Sequence, residues 1–346
     1  MTVTSTALRD RVASPELELP QHPDIARWKP ATLDDLDAMM VLMDAADRVD
    51  HPASTTTRAQ VENALKSSEL IMATDTLVGE SASGVLIAAG VVAEAQAKST
   101  RVQVYLEGTV HPTWRGRGIG RQLLAWQRDR ALQLLSASPH ALPGWIMVDQ
   151  EHGNIAGQHL SERAGFTLTR YFTEMERRLS DAVEIIEPMA DVRIVPLDDE
   201  LVESSRRARN DAFRDHWGSQ PTTQERWEHM TSSPEFRKDL SRVAVEKTDA
   251  GERRVVAFAL VSVNKRDWEA AGYSKAYIEY IGVVRDHRGE KLAPAIITAA
   301  LQSLRDAGIE RATLDVDSES PTGANTLYER MGFVAGDRGY SYVLEV

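Results

Sequence analysis

Apolar and polar positions along the chain follow two rhythms, and the order of the rhythms occurs twice. Alternating or continuous apolar runs, the pattern of strands, occupy residues 69–73, 84–93 and 102–110, and again 241–247, 255–264 and 276–284. Shorter apolar runs at 145–148 and 312–316 read as buried strands, with closing strands at 170–179 and 340–346. Between them the apolar step lengthens to three and four residues. Ile296, Ile297, Ala300, Leu301 and Leu304 form one such face, and Ala324, Leu327, Tyr328 and Met331 another, so both segments are predicted helical. Gly332 supplies the stop of the second helix, and Ser320 with Pro321 its cap and first turn. A matching helix is predicted over about 120–135, and the region ahead of the first strand of each half reads as helical.

Short identities mark the same duplication. Residues 28–36 echo 194–201, and the octapeptide Thr109-Val110-His111-Pro112-Thr113-Trp114-Arg115-Gly116 aligns with Gly282-Val283-Val284-Arg285-Asp286-His287-Arg288-Gly289. Further on, Glu162-Arg163-Ala164-Gly165-Phe166 aligns with Glu329-Arg330-Met331-Gly332-Phe333. The matches keep one order at a near-constant offset of about 170 residues. A chain of 346 residues has room for two domains. The acidic, proline-containing stretch from Asp181 to Asp191 breaks the pattern between them. The expected layout is a loose tail over 1–22, a first domain over 23–180, a linker over 181–191 and a second domain over 192–346. Strands and helices alternate in both halves, so the class is α/β or α+β with a mixed sheet.

Composition narrows what two such domains do. The formal net charge of −12 argues against a nucleic-acid partner, which needs a basic face, and suits a cationic substrate. There is no cysteine, so disulfides, thiolate metal sites and a cysteine acyl-enzyme are excluded. His152 and His159, seven apart on an expected helix, are too sparse for a metal site, and no metal is expected. The first twenty residues have no apolar run of the secretory kind, and no stretch approaches the roughly 20 apolar residues of a membrane span. A cytoplasmic protein with no membrane partner is expected.

The strand ending at Val110 leads into Arg115-Gly116-Arg117-Gly118-Ile119-Gly120 and then into a helix. Glycines let backbone approach an anion and take positive φ, and the unpaired N–H groups of a helix start point at phosphate oxygens. A dinucleotide fingerprint needs Gly-x-Gly-x-x-Gly with an acidic residue after the next strand, and a P-loop needs Gly-Lys-Ser/Thr; neither occurs here.

The pattern Arg115-x-x-Gly118-x-Gly120 on a strand-to-helix turn resembles the acyl-CoA motif of the GNAT superfamily of N-acetyltransferases. Leu327-Tyr328-x-x-x-Gly332-Phe333 resembles that family's second signature. The resemblance covers nearly the whole chain, twice, and the layout is similar to that of mycothiol synthase-like actinobacterial acetyltransferases. It implies two tandem GNAT-like domains, each with a mixed, mostly antiparallel sheet flanked by helices. It also implies acetyl-CoA as acyl donor and a small-molecule amine as acceptor, in a monomer or homodimer. Carried over by motif, the CoA-binding positions of the first half are Val110, Arg115, Gly116, Arg117, Gly118, Ile119 and Gly120. Those of the second half are Val283, Val284, Arg288, Gly289, Glu290, Lys291, Leu292 and Ala293, with Asn325.

The halves keep different parts of this equipment. The first has both glycines of the turn but Ser161 where the family has tyrosine; the second has Tyr328 but Lys291 in place of the middle glycine. A phenol is able to protonate the departing CoA thiolate, and Tyr328 is the candidate acid. The family's glutamate falls at Tyr277, which cannot act as a base, so Glu279, two residues on and hence on the same face of a regular strand, is the candidate. In the first half these positions are Val104 and Leu106, and Glu107 points the other way unless a bulge intervenes. Asp215, His216 and Trp217 combine charge, titration near neutrality and an aromatic wall, and are candidates for acceptor binding. The expected activity is direct acetyl transfer in a ternary complex, with catalysis in the second half. Catalysis in the first half with the second supporting it, and a non-catalytic acyl-CoA sensor, are the alternatives.

Overall fold

Runs of valine, alanine and isoleucine buried on both faces, such as Val255–Val261 with 0–1% exposure, form the centres of two sheets. The computed structural model describes residues 6–181, 184–188, 192–320 and 323–346. Part of the expected linker, residues 182–183 and 189–191, and Pro321 at the expected helix start lie outside the described residues.

In chain order the first elements are α1 (Leu8–Arg11), β1 (Arg27–Lys29), α2 (Leu36–Asp50), α3 (Arg58–Lys66), α4 (Met72–Asp75), β2 (Thr76–Glu80), β3 (Leu86–Glu94), β4 (Val102–Val110), α5 (Ile119–Ala137), β5 (Gly144–Gln150), α6 (Ile155–Arg163) and β6 (Thr167–Arg178). They are followed by β7 (Arg193–Pro196), α7 (Val202–Ala212), α8 (Gln224–Ser232), β8 (Arg242–Lys247), β9 (Arg253–Ser262), α9 (Arg266–Ala271), β10 (Lys275–Val283), α10 (Leu292–Asp306), β11 (Arg311–Asp317), α11 (Ala324–Arg330) and β12 (Val334–Glu345).

The first compact unit holds the chain up to Tyr171 together with Arg338–Val346; the second is Phe172–Asp337. The sheet of the first runs β1-β2-β3-β4-β5-β12 and that of the second β6-β11-β10-β9-β8-β7. All these neighbours are antiparallel except β4–β5 and β10–β11. Each unit is therefore a mixed, mostly antiparallel sheet with helices packed on it.

The closing strands do not stay with their halves. Residues Tyr340–Glu345 of β12 pair with Gln150–Trp145 of β5, and Phe172–Arg178 of β6 pair with Asp317–Arg311 of β11. Division at 180 and 192 thus leaves each sheet without its sixth strand. Both closing strands are twelve residues long, and their apolar alternation does not encode which sheet they join.

The expected tail is packed where it is described. Leu8 is fully buried, its N–H donates to the His140 carbonyl at 3.0 Å, and Arg11 donates to the Leu142 carbonyl at 2.8 Å. The strand expected over 69–73 is instead a turn into α4, with β2 beginning at Thr76. Asp75 is the cause: its buried carboxylate accepts from the Ile71 N–H at 2.5 Å and pairs with Arg130 at 2.8 Å. His152 sits in the turn before α6, so it shares no helix with His159.

The helical faces behave as their spacing requires. Ile296, Ile297, Ala300, Leu301 and Leu304 of α10 are all fully buried, each leucine or isoleucine contributing about 1.5–3 kcal/mol. On the strand side, Gly282 lets α7 approach β10: a Cβ there would overlap the Phe258 ring and lie 3.0 Å from the Ala212 Cβ.

Candidate active site

Both units open a cleft in the same way, where two parallel strands part. In the first, β4 and β5 pair from Val102–Gly144 to Tyr105–Met147 and no further, although both strands continue. In the second, β10 and β11 pair only from Lys275–Arg311 to Tyr277–Thr313. Beyond those points the two strands share no ladder pairs, and a strand-to-helix turn follows β4 and β10.

The first turn takes its shape from two glycines. Gly116 has φ of 77° and Gly118, the residue before α5, has φ of 96°. Ile119 anchors the helix start in the core. Arg115 does not face this turn freely: its Nε donates to the Val110 carbonyl at 2.9 Å and its two terminal nitrogens grip the Asp50 carboxylate at 2.6 and 2.7 Å. Its guanidinium thus holds strand, turn and the end of α2 together. Arg117 is more open, with its guanidinium 4.8 Å from the Trp114 ring centroid.

The second turn keeps the same backbone with a different residue. Gly289 has φ of 89°, and Lys291 takes φ of 57° and ψ of 20° directly before α10. Among the described residues it is the one non-glycine with positive φ. Left-handed backbone costs an L-residue about 1–2 kcal/mol, so the turn geometry is retained at a cost in stability, with an exposed ammonium at its tip. Lys291→Gly is expected to raise unfolding free energy by about 1 kcal/mol, roughly 2–4 °C in Tm for a unit of this size. Thermal unfolding followed by circular dichroism measures it, and an unchanged or lower Tm would show that the lysine is not strained. Around this turn Leu292 and Val284 are buried, Arg288 donates to the Ala212 carbonyl at 3.0 Å, and Glu290 accepts from His287 Nδ1 at 2.8 Å.

At the mouth of the second cleft, β10 carries a bulge that β4 lacks. Ile278 faces Val261 and Tyr280 faces Leu260, leaving Glu279 as the extra residue, whereas β4 pairs with β3 without interruption. A bulge redirects the side chain it inserts. Glu279 is half-buried and accepts a hydrogen bond from Ser262; burial, reinforced by the charge of Asp315, raises its carboxyl above the ordinary value, and the Ser262 bond opposes this. Tyr277 donates to Asp315 Oδ2 at 2.9 Å. Burial first, and then the charges of Asp315 and Glu279, push its phenol well above 10. The Asp315 carboxylate keeps solvent-accessible area but lies deep among protein atoms, and this desolvation raises it. Glu174, its cross-strand neighbour on β6, is raised by burial and by Asp315. Asp315 and Glu174 were not singled out in the sequence, and Tyr277 only as a position that cannot act as a base, although the aspartates in Leu314-Asp315-Val316-Asp317 interrupt a strand that otherwise reads as buried.

Tyr328 lies on α11 with 8% exposure, its ring 5.8 Å from that of Phe333. Its hydroxyl has no hydrogen-bond partner among the described residues, and burial alone lifts its pKa far above 10. Asn325, one turn earlier, donates to the carbonyls of Asp317 and Ser318 at 3.2 and 3.3 Å, which fixes the loop before the helix. In the first unit Ser161 is fully buried and donates to the Gly157 carbonyl at 3.0 Å, so it offers no proton to a cleft.

The three acceptor candidates are spread over different surroundings. Asp215 pairs with Arg285 and lies 3.9 Å from Arg288, both of the second turn. His216 packs on Phe213 at 4.5 Å, and burial lowers its pKa below 6.5. Trp217 is half-buried. Beside them Arg209 lies 5.1 Å from the Phe213 and Tyr280 ring centroids, a buried cation that sequence spacing did not mark. Among the described residues no cluster of three His, Asp or Glu is placed to hold a metal, and no helix is long and apolar enough to cross a membrane.

Comparison with known proteins agrees with this architecture. The acetyltransferase (GNAT) family profile matches residues 202–333. A mycothiol acetyltransferase of Streptomyces avermitilis is 27% identical over 321 residues, 89% of this chain and 91% of that protein. One from Stackebrandtia nassauensis is 32% identical over 246 residues, 68% of this chain and 73% of that one. Among solved structures, a tandem GNAT protein from the clavulanic acid biosynthesis pathway has a TM-score of 0.66 at 17% identity, covering 92% of this chain and 98% of that one.

Proposed function

The chain belongs to the GNAT family of acetyltransferases, in tandem form, and on that premise we propose that its second unit moves an acetyl group from acetyl-CoA to a small-molecule amine by direct attack. The observation that carries this reading is the pairing of equipment in one unit: a bulge that inserts Glu279 where β10 and β11 separate, and a phenol on α11 whose hydroxyl has no hydrogen-bond partner among the described residues.

The fit to CoA rests on the turns. Backbone from Gly289 to Ala293 takes the same course as Gly116 to Gly120, with positive φ at matching positions, so the N–H groups at the start of α10 are available to phosphate oxygens. When bound, acetyl-CoA supplies the activated thioester carbonyl. Glu279 takes a proton from the substrate ammonium and so frees the nitrogen lone pair for attack; its raised affinity for protons strengthens it as a base. Tyr328 holds a proton for the sulfur that leaves and regains one from solvent. The net change is one amide N–C bond formed, one thioester C–S bond broken, and one proton released. The carboxylates of Asp315 and Glu174 favour a cationic acceptor over a neutral one.

A second reading follows from the two-glycine turn of the first unit, which places transfer there. The test is thiol release from acetyl-CoA with a panel of amines that includes desacetylmycothiol, on the full chain and on Gly118→Glu. Release that persists in Gly118→Glu supports the second unit; release lost with that change overturns it. No release with any amine leaves only CoA binding and overturns both readings.

A further inference from the structure

The segment ahead of β1 runs as a strap along α5, from beyond the end of that helix back to its start. The Leu8 and Arg9 N–H groups donate to the carbonyls of His140 and Ser138 at 3.0 Å, just past the last residue of α5. Within the helix Gln133 donates to the Pro15 carbonyl at 3.0 Å, and Leu17 packs on the core. The strap then reaches the turn before α5, where His22, its side chain only 6% exposed, meets Arg117.

This contact fixes one peptide plane. His22 Nδ1 accepts from the Asp24 N–H at 3.1 Å, so in the neutral ring Nε2 carries the proton and donates to the Arg117 carbonyl at 2.9 Å. The Arg117 guanidinium is drawn to the same strap, 3.5 Å from Asp24 Oδ2. In a trans peptide the carbonyl and the following N–H point in opposite directions, so the His22 bond turns the Gly118 N–H away from the imidazole. That N–H donates to no acceptor among the described residues. Gly118, with φ of 96°, is where this peptide is free to flip, because glycine takes either sign of φ at little cost. His22 thus selects one of two arrangements that the glycine leaves open.

We propose that His22 is a positioning residue for CoA at the first turn: it locks the Arg117–Gly118 peptide with its N–H presented to a phosphate oxygen. The proposal rests on the reading of this turn as a CoA site, and holds whichever unit carries out transfer. A donor held in place beforehand loses no freedom when the anion arrives. A peptide that flips binds only in the fraction of molecules that have the N–H outward.

The test is calorimetric titration of the full-length protein with CoA. Gly118→Glu sets a carboxylate in the turn, and the binding it removes is the component that belongs to the first unit. His22→Leu fills the space of the ring without a donor and is expected to weaken that component about tenfold. His22→Gln, whose amide N–H stands where Nε2 stood, is expected to stay within about threefold of the unaltered protein. Added to Gly118→Glu, His22→Leu leaves the remaining binding unchanged, since its effect runs through the turn. Thermal unfolding checks that the strap is still seated. If leucine unseats it, His22→Asn, whose amide stops short at the place of Nδ1, is the second variant without a donor and is expected to lose the same tenfold. Unchanged CoA affinity in both donorless proteins overturns the role of His22 while the turn remains a CoA site. Equal losses in the leucine and glutamine proteins would assign the effect to packing and overturn it too. Full CoA binding in Gly118→Glu takes away the CoA site itself, and the proposal with it.

Discussion

Replacing Tyr328 by phenylalanine is expected to lower kcat for amine acetylation by about 10²–10³-fold, the range of a lost general acid. The substitution is clean because it removes one atom group that has no hydrogen-bond partner among the described residues, while the ring keeps its packing on Phe333 at 5.8 Å. The KM for acetyl-CoA should move by less than about twofold, since a proton delivered to departing sulfur acts in the transition state and not in the ground state. Tm is expected to hold, because the hydroxyl makes no hydrogen bond among the described residues and the ring keeps its packing. Steady-state thiol release with a paired thermal melt decides the matter. A full rate in the Tyr328→Phe protein would take the second unit's phenol out of the chemistry.

The second large effect concerns Glu279. Burial and the neighbouring charge of Asp315 hold its carboxyl above the usual 4.5, with the Ser262 hydrogen bond opposing them. A base works only when ionised, so kcat/KM is expected to rise with pH through this elevated value. The acid limb of the profile therefore lies above pH 4.5 and is lost as pH falls through it. Glu279→Gln keeps the shape and the hydrogen-bonding edge but cannot accept the proton. It is expected to cut kcat/KM by about 10²-fold and to remove that limb. A Gln variant that retains the same acid limb would show that another group titrates, with Asp315, held by Tyr277 at 2.9 Å, the nearest alternative.

The sequence disclosed the repeat, the alternation of strands and helices, and both turns, because each rests on local spacing that side chains enforce directly. β4 begins and ends at the predicted residues, 102 and 110, since a glycine turn and a polar stretch bound it. The site was legible only in part. Glu279 was reached by strand alternation, yet the structure delivers it through a bulge, and nothing local in Tyr277-Ile278-Glu279-Tyr280 distinguishes the two. Tyr277, Asp315 and Glu174 come from three strands, so their grouping is a product of pairing register. Arg115 shows the converse: its position in the motif pointed to an anion, but Asp50, 65 residues away, occupies its guanidinium. Asp75 likewise overrode a strand pattern through a partner 55 residues distant.

The exchange of closing strands has a consequence for how the protein is made. Residues emerge from the ribosome in order, and most domains fold as units when their last residue appears. The first unit cannot do so. Its sixth strand is β12, and Ser341 meets Asp149 across 192 residues of sequence. Until β12 has been made, β5 is a bare edge, with unpaired backbone groups that invite association with other chains. Closing so long a loop adds little to the equilibrium cost, which grows only logarithmically with length, but it delays completion until β12 has been made. A nascent chain stalled after the second turn thus carries an unfinished sheet in its first unit, and loss of residues 338–346 removes the sixth strand from a sheet whose other five were made before residue 151.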